Sequence, residues 1–95
     1  MYIYYTYGVS MLKEIDRELA KDLMRKFHRN NIWGKHHWSE DTLPKGFPPH
    51  LRGSVIDVAE ELRKMRFLTK RPSHHGYQWY ANLEMIKEIE EFIKG

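Results

Sequence analysis

Six histidines give this 95-residue chain its most obvious capacity for metal chemistry. Most of them stand in two adjacent pairs, His36-His37 and His74-His75. Adjacent side chains of a strand point to opposite faces, so at best one histidine from each pair can converge on an ion. The chain has no cysteine, and no well-spaced carboxylate completes a set of four zinc ligands. The histidines therefore favour no metal site, and we expect no cofactor.

Two pairs of adjacent carboxylates, Glu60-Glu61 and Glu90-Glu91, are the candidates for acid–base catalysis. Neighbouring residues on a helix diverge by about 100°, so neither pair can share a substrate. The chain also has no nucleophile elbow, no phosphate-binding glycine loop and no zinc-protease helix motif. We therefore expect a protein that is not an enzyme, with these glutamates on solvated helix faces.

Aromatic side chains make up 14% of the sequence and offer stacking surfaces for unpaired bases. Trp33, Trp38 and Trp79 are the largest of them. Trp79 alternates with Tyr77 in a stretch that has the pattern of a strand, which favours a place in a small core. Core packing is thus the expected role of the aromatic residues, and base stacking is the alternative.

Basic residues are concentrated in the middle of the chain. Residues 23–38 hold four bases and no acid, and residues 43–71 hold seven bases and three acids. Residues 84–95 hold two lysines and four glutamates. The net charge of +3 permits a nucleic-acid partner without requiring one.

Length and composition restrict the class of protein. A chain of 95 residues, 41% of them apolar, forms one domain with one core. Its longest apolar run is far shorter than the roughly 20 residues that cross a bilayer, and Met1 to Val9 has no signal-peptide pattern. The absence of cysteine suits a reducing compartment. We therefore expect a cytoplasmic protein with no membrane partner.

Apolar residues at spacings of three and four predict the helices that must position the charged residues. A first helix over residues 10–29 is indicated by Leu12, Ile15, Leu19, Leu23 and Phe27. A later helix from Pro49 to about Arg66 is indicated by Leu51, Val55, Val58, Leu62 and Met65. A final helix is predicted after Asn82, which would cap it. The residues of this helix expected to face the core are Leu83, Ile86, Ile89, Phe92 and Ile93.

The segments between these helices have the composition of short strands and turns. Ile32–Trp38 is typical of a brief strand, and Ser39 would cap a helix of one to two turns that Pro44 stops. Residues 67–71 and 77–81 predict a β-hairpin around a turn at residues 72–76. Residues 1–9 have the composition of a leader or of an extra edge strand.

The predicted order of elements resembles the winged-helix variant of the helix-turn-helix from about Ser10 to Ile93. Two stretches carry the resemblance: LPKGFPPHLRG at residues 43–53, similar to the turn into a recognition helix, and AEELRKMRFLTKRP at residues 59–72, similar to a helix that runs into a basic wing. Small archaeal members of the family, most of them uncharacterised, share this pattern. Many members carry glycine at the position of Arg66.

The resemblance implies an α+β fold over residues 10–95, with a core of three helices, an antiparallel β-hairpin wing and an additional C-terminal helix. It also implies binding of double-stranded DNA and a role in transcription regulation. The third helix of such a protein enters the major groove with its N-terminal end, and the wing lies on the DNA backbone. The candidate DNA-binding residues are Lys45, His50, Arg52, Ser54, Lys70, Arg71, His74 and His75.

A winged helix that binds another protein, without direct DNA binding, is the alternative function. The feature that separates the two hypotheses is whether one continuous face is formed by Arg25, Lys26, Arg29, Lys45, Arg52, Lys70 and Arg71. Interruption of that face by Asp57, Glu60 and Glu61 would weaken the DNA hypothesis. The acidic final helix has more apolar residues than one buried face needs, which favours a homodimer through that helix.

Overall fold

The predicted apolar stripes become the buried sides of helices in the computed structural model, which describes residues 14–95. The helices of this part of the chain are α1 (Glu14–Arg29), α2 (Arg52–Lys64) and α3 (Ile86–Lys94). The strands are β1 (Trp38–Ser39), β2 (Leu68–Ser73) and β3 (Gly76–Ala81), which form one antiparallel sheet in the order β1-β3-β2. The described chain thus has an α+β fold with three α-helices and a small three-stranded sheet.

Of the apolar stripe predicted for the first helix, Leu19, Leu23 and Phe27 lie in the core as predicted. The predicted start of this helix at Ser10 lies outside the described residues, and so does the segment 1–9. In α2 the buried residues are Val55, Val58, Ala59 and Leu62, which include three of the predicted stripe. Pro49 begins the 3-10 turn Pro49–Leu51 that leads into α2, where a missing N–H costs nothing.

The prediction of a strand over Ile32–Trp38 is wrong for most of that segment. The strand is only Trp38–Ser39, because the preceding loop turns back on itself at Gly34. Gly34 has φ +121°, and its N–H donates to the carbonyl of His36 at 3.0 Å. Ile32 still adjoins the sheet, since its carbonyl accepts a hydrogen bond of 2.7 Å from Ala81.

The helix predicted from Ser39 is a single 3-10 turn, Glu40–Thr42. Ser39 occupies the N-cap position, but its Oγ bonds Thr42 Oγ1 at 2.9 Å and no backbone N–H. The expected core of three helices with an additional C-terminal helix is therefore corrected to three α-helices in all, counted over residues 14–95.

The predicted β-hairpin is present, and its strands are longer than expected. The paired strands extend to Ser73 and Gly76, so only His74 and His75 form the turn. Pro72 remains in β2 because β2 is an edge strand, where a residue without an N–H is tolerated.

The core lies between the three helices and the inner face of the sheet. Its fully buried side chains include Phe27, Phe67, Trp79 and Ile89. The prediction that Leu83 points inward is wrong, because Leu83 is 56% exposed. It lies in the 3-10 turn Leu83–Met85 that precedes α3, so its side chain does not follow the roughly 3.6-residue period of that helix. Asn82 caps this turn as predicted, accepting a hydrogen bond from the Glu84 N–H.

Helix α2 ends at a residue in the left-handed backbone conformation. The N–H of Phe67 donates to the carbonyl of Leu62 at 2.9 Å, and the N–H of Arg66 donates to that of Arg63 at 2.9 Å. These are the two hydrogen bonds of a Schellman motif, which places Arg66 at the position where glycine is preferred. Arg66 accordingly has φ +70°. The junction keeps the geometry of a glycine-containing helix end although its residue is arginine.

Replacing Arg66 with glycine is expected to raise the free energy of unfolding by about 0.5–1 kcal/mol. The left-handed conformation costs a residue with a Cβ about 1–2 kcal/mol, and the greater freedom of glycine in the unfolded chain offsets part of that gain. Urea unfolding of Arg66→Gly checks the value, with Arg29→Gly as the control in right-handed helix, where glycine should destabilise. Equal destabilisation of both variants would contradict the prediction.

Candidate nucleic-acid interface

Two cations hold the turn that precedes α2. Lys26 Nζ donates to the carbonyl of Lys45 at 2.7 Å and lies 4.6 Å from the ring centre of Phe47. Arg52 Nε donates to the carbonyl of Phe47 at 3.3 Å. Gly46 has φ +89°, a backbone conformation that strains a residue with a Cβ, so the turn favours glycine. These contacts bring the cations of α1 and α2 together beside the turn.

The N-terminal cluster, which we define as Lys26, Lys45, His50 and Arg52, lies at the start of α2. Lys45, His50 and Arg52 are exposed, and none of the four takes part in an ion pair within residues 14–95. The free N–H groups of a helix N-terminus add a partial positive charge at this end. The N-terminal cluster is therefore open to an anion such as a phosphate.

The middle of the exposed side of α2 is acidic. Asp57 and Glu61 are exposed, and they lie opposite the buried stripe of the helix. Glu61 pairs with Lys64 at 3.7 Å, which leaves Asp57 without an ion pair in the described chain. Ser54, another predicted contact, is half-buried. Because Arg63 and Lys64 of the last turn are paired with Glu60 and Glu61, the basic surface of α2 without carboxylate partners lies at its first turn.

Lys70 connects β2 to two other elements. Its Nζ lies 2.6 Å from Glu60 Oε2 of α2 and 3.7 Å from Glu40 Oε1 of the 3-10 turn. The hydrogen bond from Lys70 lowers the pKa of Glu60, and the same bond raises the pKa of Lys70. Nζ also lies 4.1 Å from the ring centre of Tyr77. The charge of Lys70 is therefore already balanced by carboxylates, and we interpret this residue as a brace between the hairpin and α2.

The tip of the hairpin carries the other predicted wing contacts. Arg71, His74 and His75 are exposed, and Arg71 Nε donates to Gln78 Oε1 at 3.1 Å. Because side chains alternate along a strand, Arg71 lies on the opposite face of the sheet from Lys70. The structure therefore separates two residues that adjoin in the sequence.

The predicted basic residues do not form one uninterrupted face. Arg25 is paired with Asp22 at 2.9 Å and also donates to the carbonyl of Ile93. Lys70 is paired with Glu60, which holds Arg63 as well at 2.8 Å. Of the other predicted bases, Lys26, Lys45 and Arg52 lie in the N-terminal cluster and Arg71 lies near the hairpin tip, while the exposed Arg29 at the end of α1 belongs to neither group.

Comparison of the chain with models of known families, with curated proteins and with solved structures finds no match. Within residues 14–95, no three histidine or carboxylate side chains lie close enough to hold a metal ion. None of the helices in that range has both the length and the apolar character needed to span a membrane.

The sequence analysis places Lys26 in the basic face but not among the candidate DNA-binding residues, and it does not pair Lys70 with Glu60 and Glu40. Both contacts join elements that are distant in the chain: 19 residues separate Lys26 from Lys45, and 10 separate Glu60 from Lys70. The available signal was the glycine of the turn, because Gly46 marks the place where another group approaches the backbone closely.

Proposed function

We propose that this protein binds double-stranded DNA as a winged helix-turn-helix and acts in transcription regulation. The observation that carries the proposal is the N-terminal cluster, whose bases lie without carboxylate partners at the start of α2. The strand order β1-β3-β2 and the passage from α2 into a hairpin support the resemblance to that family. The fold and the charge distribution thus favour the same partner.

In this proposal the duplex is contacted by the first turn of α2 and by the hairpin tip. Arg52 uses Nε to hold the turn, so its two terminal nitrogens are available for a base edge or a phosphate. Lys45 and His50 contact phosphates beside it, and Arg71, His74 and His75 contact the backbone from the hairpin. Asp57 and Glu61 repel phosphates, so α2 enters the groove only with its N-terminal end.

A salt titration of binding to a random-sequence duplex, followed by fluorescence anisotropy, tests the proposal. Arg52→Ala is expected to weaken binding about tenfold and to reduce the slope of log K against log[salt] by about one, because one phosphate contact is lost. Lys87→Ala, which removes a lysine from the acidic α3, is the matched control and should leave both quantities unchanged. Equal loss in the two variants would refute a specific role for the N-terminal cluster.

A protein-interaction module is the second candidate function. It is favoured by the carboxylates on the exposed side of α2, since Asp57 and Glu61 oppose the approach of DNA beyond the first turn of the helix. No detectable duplex binding near 50 mM salt would favour this candidate. The homodimer through α3 stays a prediction. Leu83 is exposed in the turn before α3, so sedimentation of Leu83→Ser tests whether this end of the chain holds two copies together.

A further inference from the structure

An open depression of about 560 Å³ lies at the end of the sheet away from the hairpin tip. We call it the sheet groove and define it by Trp33, Arg66, Thr69, Tyr80, Asn82 and Leu83, which are among its lining residues. Its volume falls within the roughly 300–1,000 Å³ typical of sites for small ligands. None of these six lining residues is assigned to duplex binding, whereas Arg71, which lies beside Tyr80, is assigned to it.

Two aromatic rings form part of the groove. Tyr80 lies on the face of β3 opposite to the buried Trp79, and both Tyr80 and Trp33 are half-buried. The loop carrying Trp33 packs closely on the sheet, because a Cβ at Gly34 would lie 3.4 Å from the ring of Tyr80. Trp33 also meets His28 edge to face at 5.7 Å. Both rings therefore line the groove with part of their surface open to a ligand.

The charges around the groove are mostly positive. Arg66 is exposed and has no ion pair within residues 14–95, while its carbonyl is fixed by Asn82 Nδ2 at 2.9 Å. Arg71 lies 5.4 Å from the ring centre of Tyr80 on the same face of the sheet. Glu84 is the one carboxylate among the residues that line the groove. Aromatic surface beside unpaired guanidinium groups is complementary to a base that carries a phosphate.

We propose that the sheet groove binds a nucleotide unit, with its unpaired base against Trp33 and Tyr80 and its phosphate at Arg66 and Arg71. A paired base within a duplex has no free face to offer, so this site requires a free nucleotide or a single strand. The Thr69 hydroxyl and the Asn82 amide supply polar groups beside the rings. The proposal does not depend on the duplex binding proposed above.

The test measures binding of AMP, adenosine, ribose 5-phosphate and a short single-stranded oligoadenylate to the full chain by NMR titration. AMP is expected to shift the Trp33 indole and Arg66 amide resonances and to bind at least about tenfold more tightly than adenosine or ribose 5-phosphate. If only the oligoadenylate produces these shifts, the nucleotide unit comes from a single strand. Ribose 5-phosphate binding as tightly as AMP would overturn the proposal, and so would the absence of shifts with both AMP and the oligonucleotide.

Three variants locate the site. Arg66→Gly removes the guanidinium at a position that prefers glycine, and it should weaken AMP or oligoadenylate binding about tenfold without loss of folding. Trp33→Leu retains an apolar side chain without a ring face and should weaken it by a similar factor. Arg52→Ala removes one positive charge from the N-terminal cluster and should have no effect. An equal loss in Arg52→Ala would show that only net charge matters and would overturn the proposal.

Discussion

Lys70→Glu is expected to lower the free energy of unfolding at pH 7 by about 2–3 kcal/mol, after allowance for partial exposure of the site. The wild-type Nζ lies 2.6 Å from Glu60 and 3.7 Å from Glu40, and the Lys70 side chain is only 21% exposed. The variant removes both ion pairs and places a third carboxylate beside the other two. Because these residues belong to α2, β2 and the Glu40–Thr42 turn, the repulsion acts between three elements.

The stability lost in Lys70→Glu depends on pH, in a direction set by the pKa shifts of Glu60 and Lys70. Since the pKa of Glu60 lies below its ordinary value of 4.5, the wild-type stabilisation is present above pH 4.5 and is lost as the pH falls through the folded-state pKa. The pKa of Lys70 lies above 10.5, so its contribution is present below pH 10.5 and is lost as the pH rises through the folded-state value. The difference between wild type and Lys70→Glu is therefore largest between these limits.

Urea unfolding at pH 7 and at about pH 3.5 measures the effect. The gap between the two proteins should narrow at the lower pH, where the carboxylates of the variant take up protons. Lys64→Glu is the control, because Lys64 also faces a glutamate of α2 but its side chain is 63% exposed. It should cost less than about 1 kcal/mol. A loss in Lys70→Glu no greater than in this control would contradict the bracing role of Lys70.

The helices were predictable because their apolar residues recur at the period of the helix. The loop after α1 was not, because Ile32 and Trp33 have strand composition while the path of the chain is set by backbone conformation. Asn31 has φ +57° and ends α1 with the same pair of hydrogen bonds seen after α2, and Gly34 then reverses the chain. Composition shows which side chains tolerate a strand, but it does not show where the chain turns.

The charged residues of the candidate site were predictable from the sequence, but the partners that these residues bind in the fold were not. Arg52 and Lys70 are equally basic in the sequence, yet Arg52 holds a turn and Lys70 is neutralised by carboxylates from two other elements. Pairing across elements depends on the tertiary fold, which local spacing does not specify. The alternation of strand side chains was the one available signal that Lys70 and Arg71 face different surroundings.

Trp79→Ala is expected to lower the free energy of unfolding by about 3–5 kcal/mol. Trp79 is fully buried in the central strand, where it is paired with Trp38 on one side and with Lys70 on the other. Its Nε1 also donates to Glu40 Oε1 at 3.0 Å, so truncation removes both packing and a hydrogen bond. A domain of this size is stabilised by about 5–15 kcal/mol, so the loss is a large part of the total.

The contribution of core packing is separated from that of the hydrogen bond to Glu40 by thermal and urea unfolding of Trp79→Ala, Trp79→Phe and Trp33→Ala. Trp79→Phe keeps a ring but loses the N–H donor to Glu40, so about 1–2 kcal/mol of its cost reports the hydrogen bond. Trp33 is only half-buried, so Trp33→Ala should cost clearly less than Trp79→Ala. Equal costs would mean that Trp33 is as much a core residue as Trp79. That outcome would remove the open ring on which base stacking in the sheet groove depends.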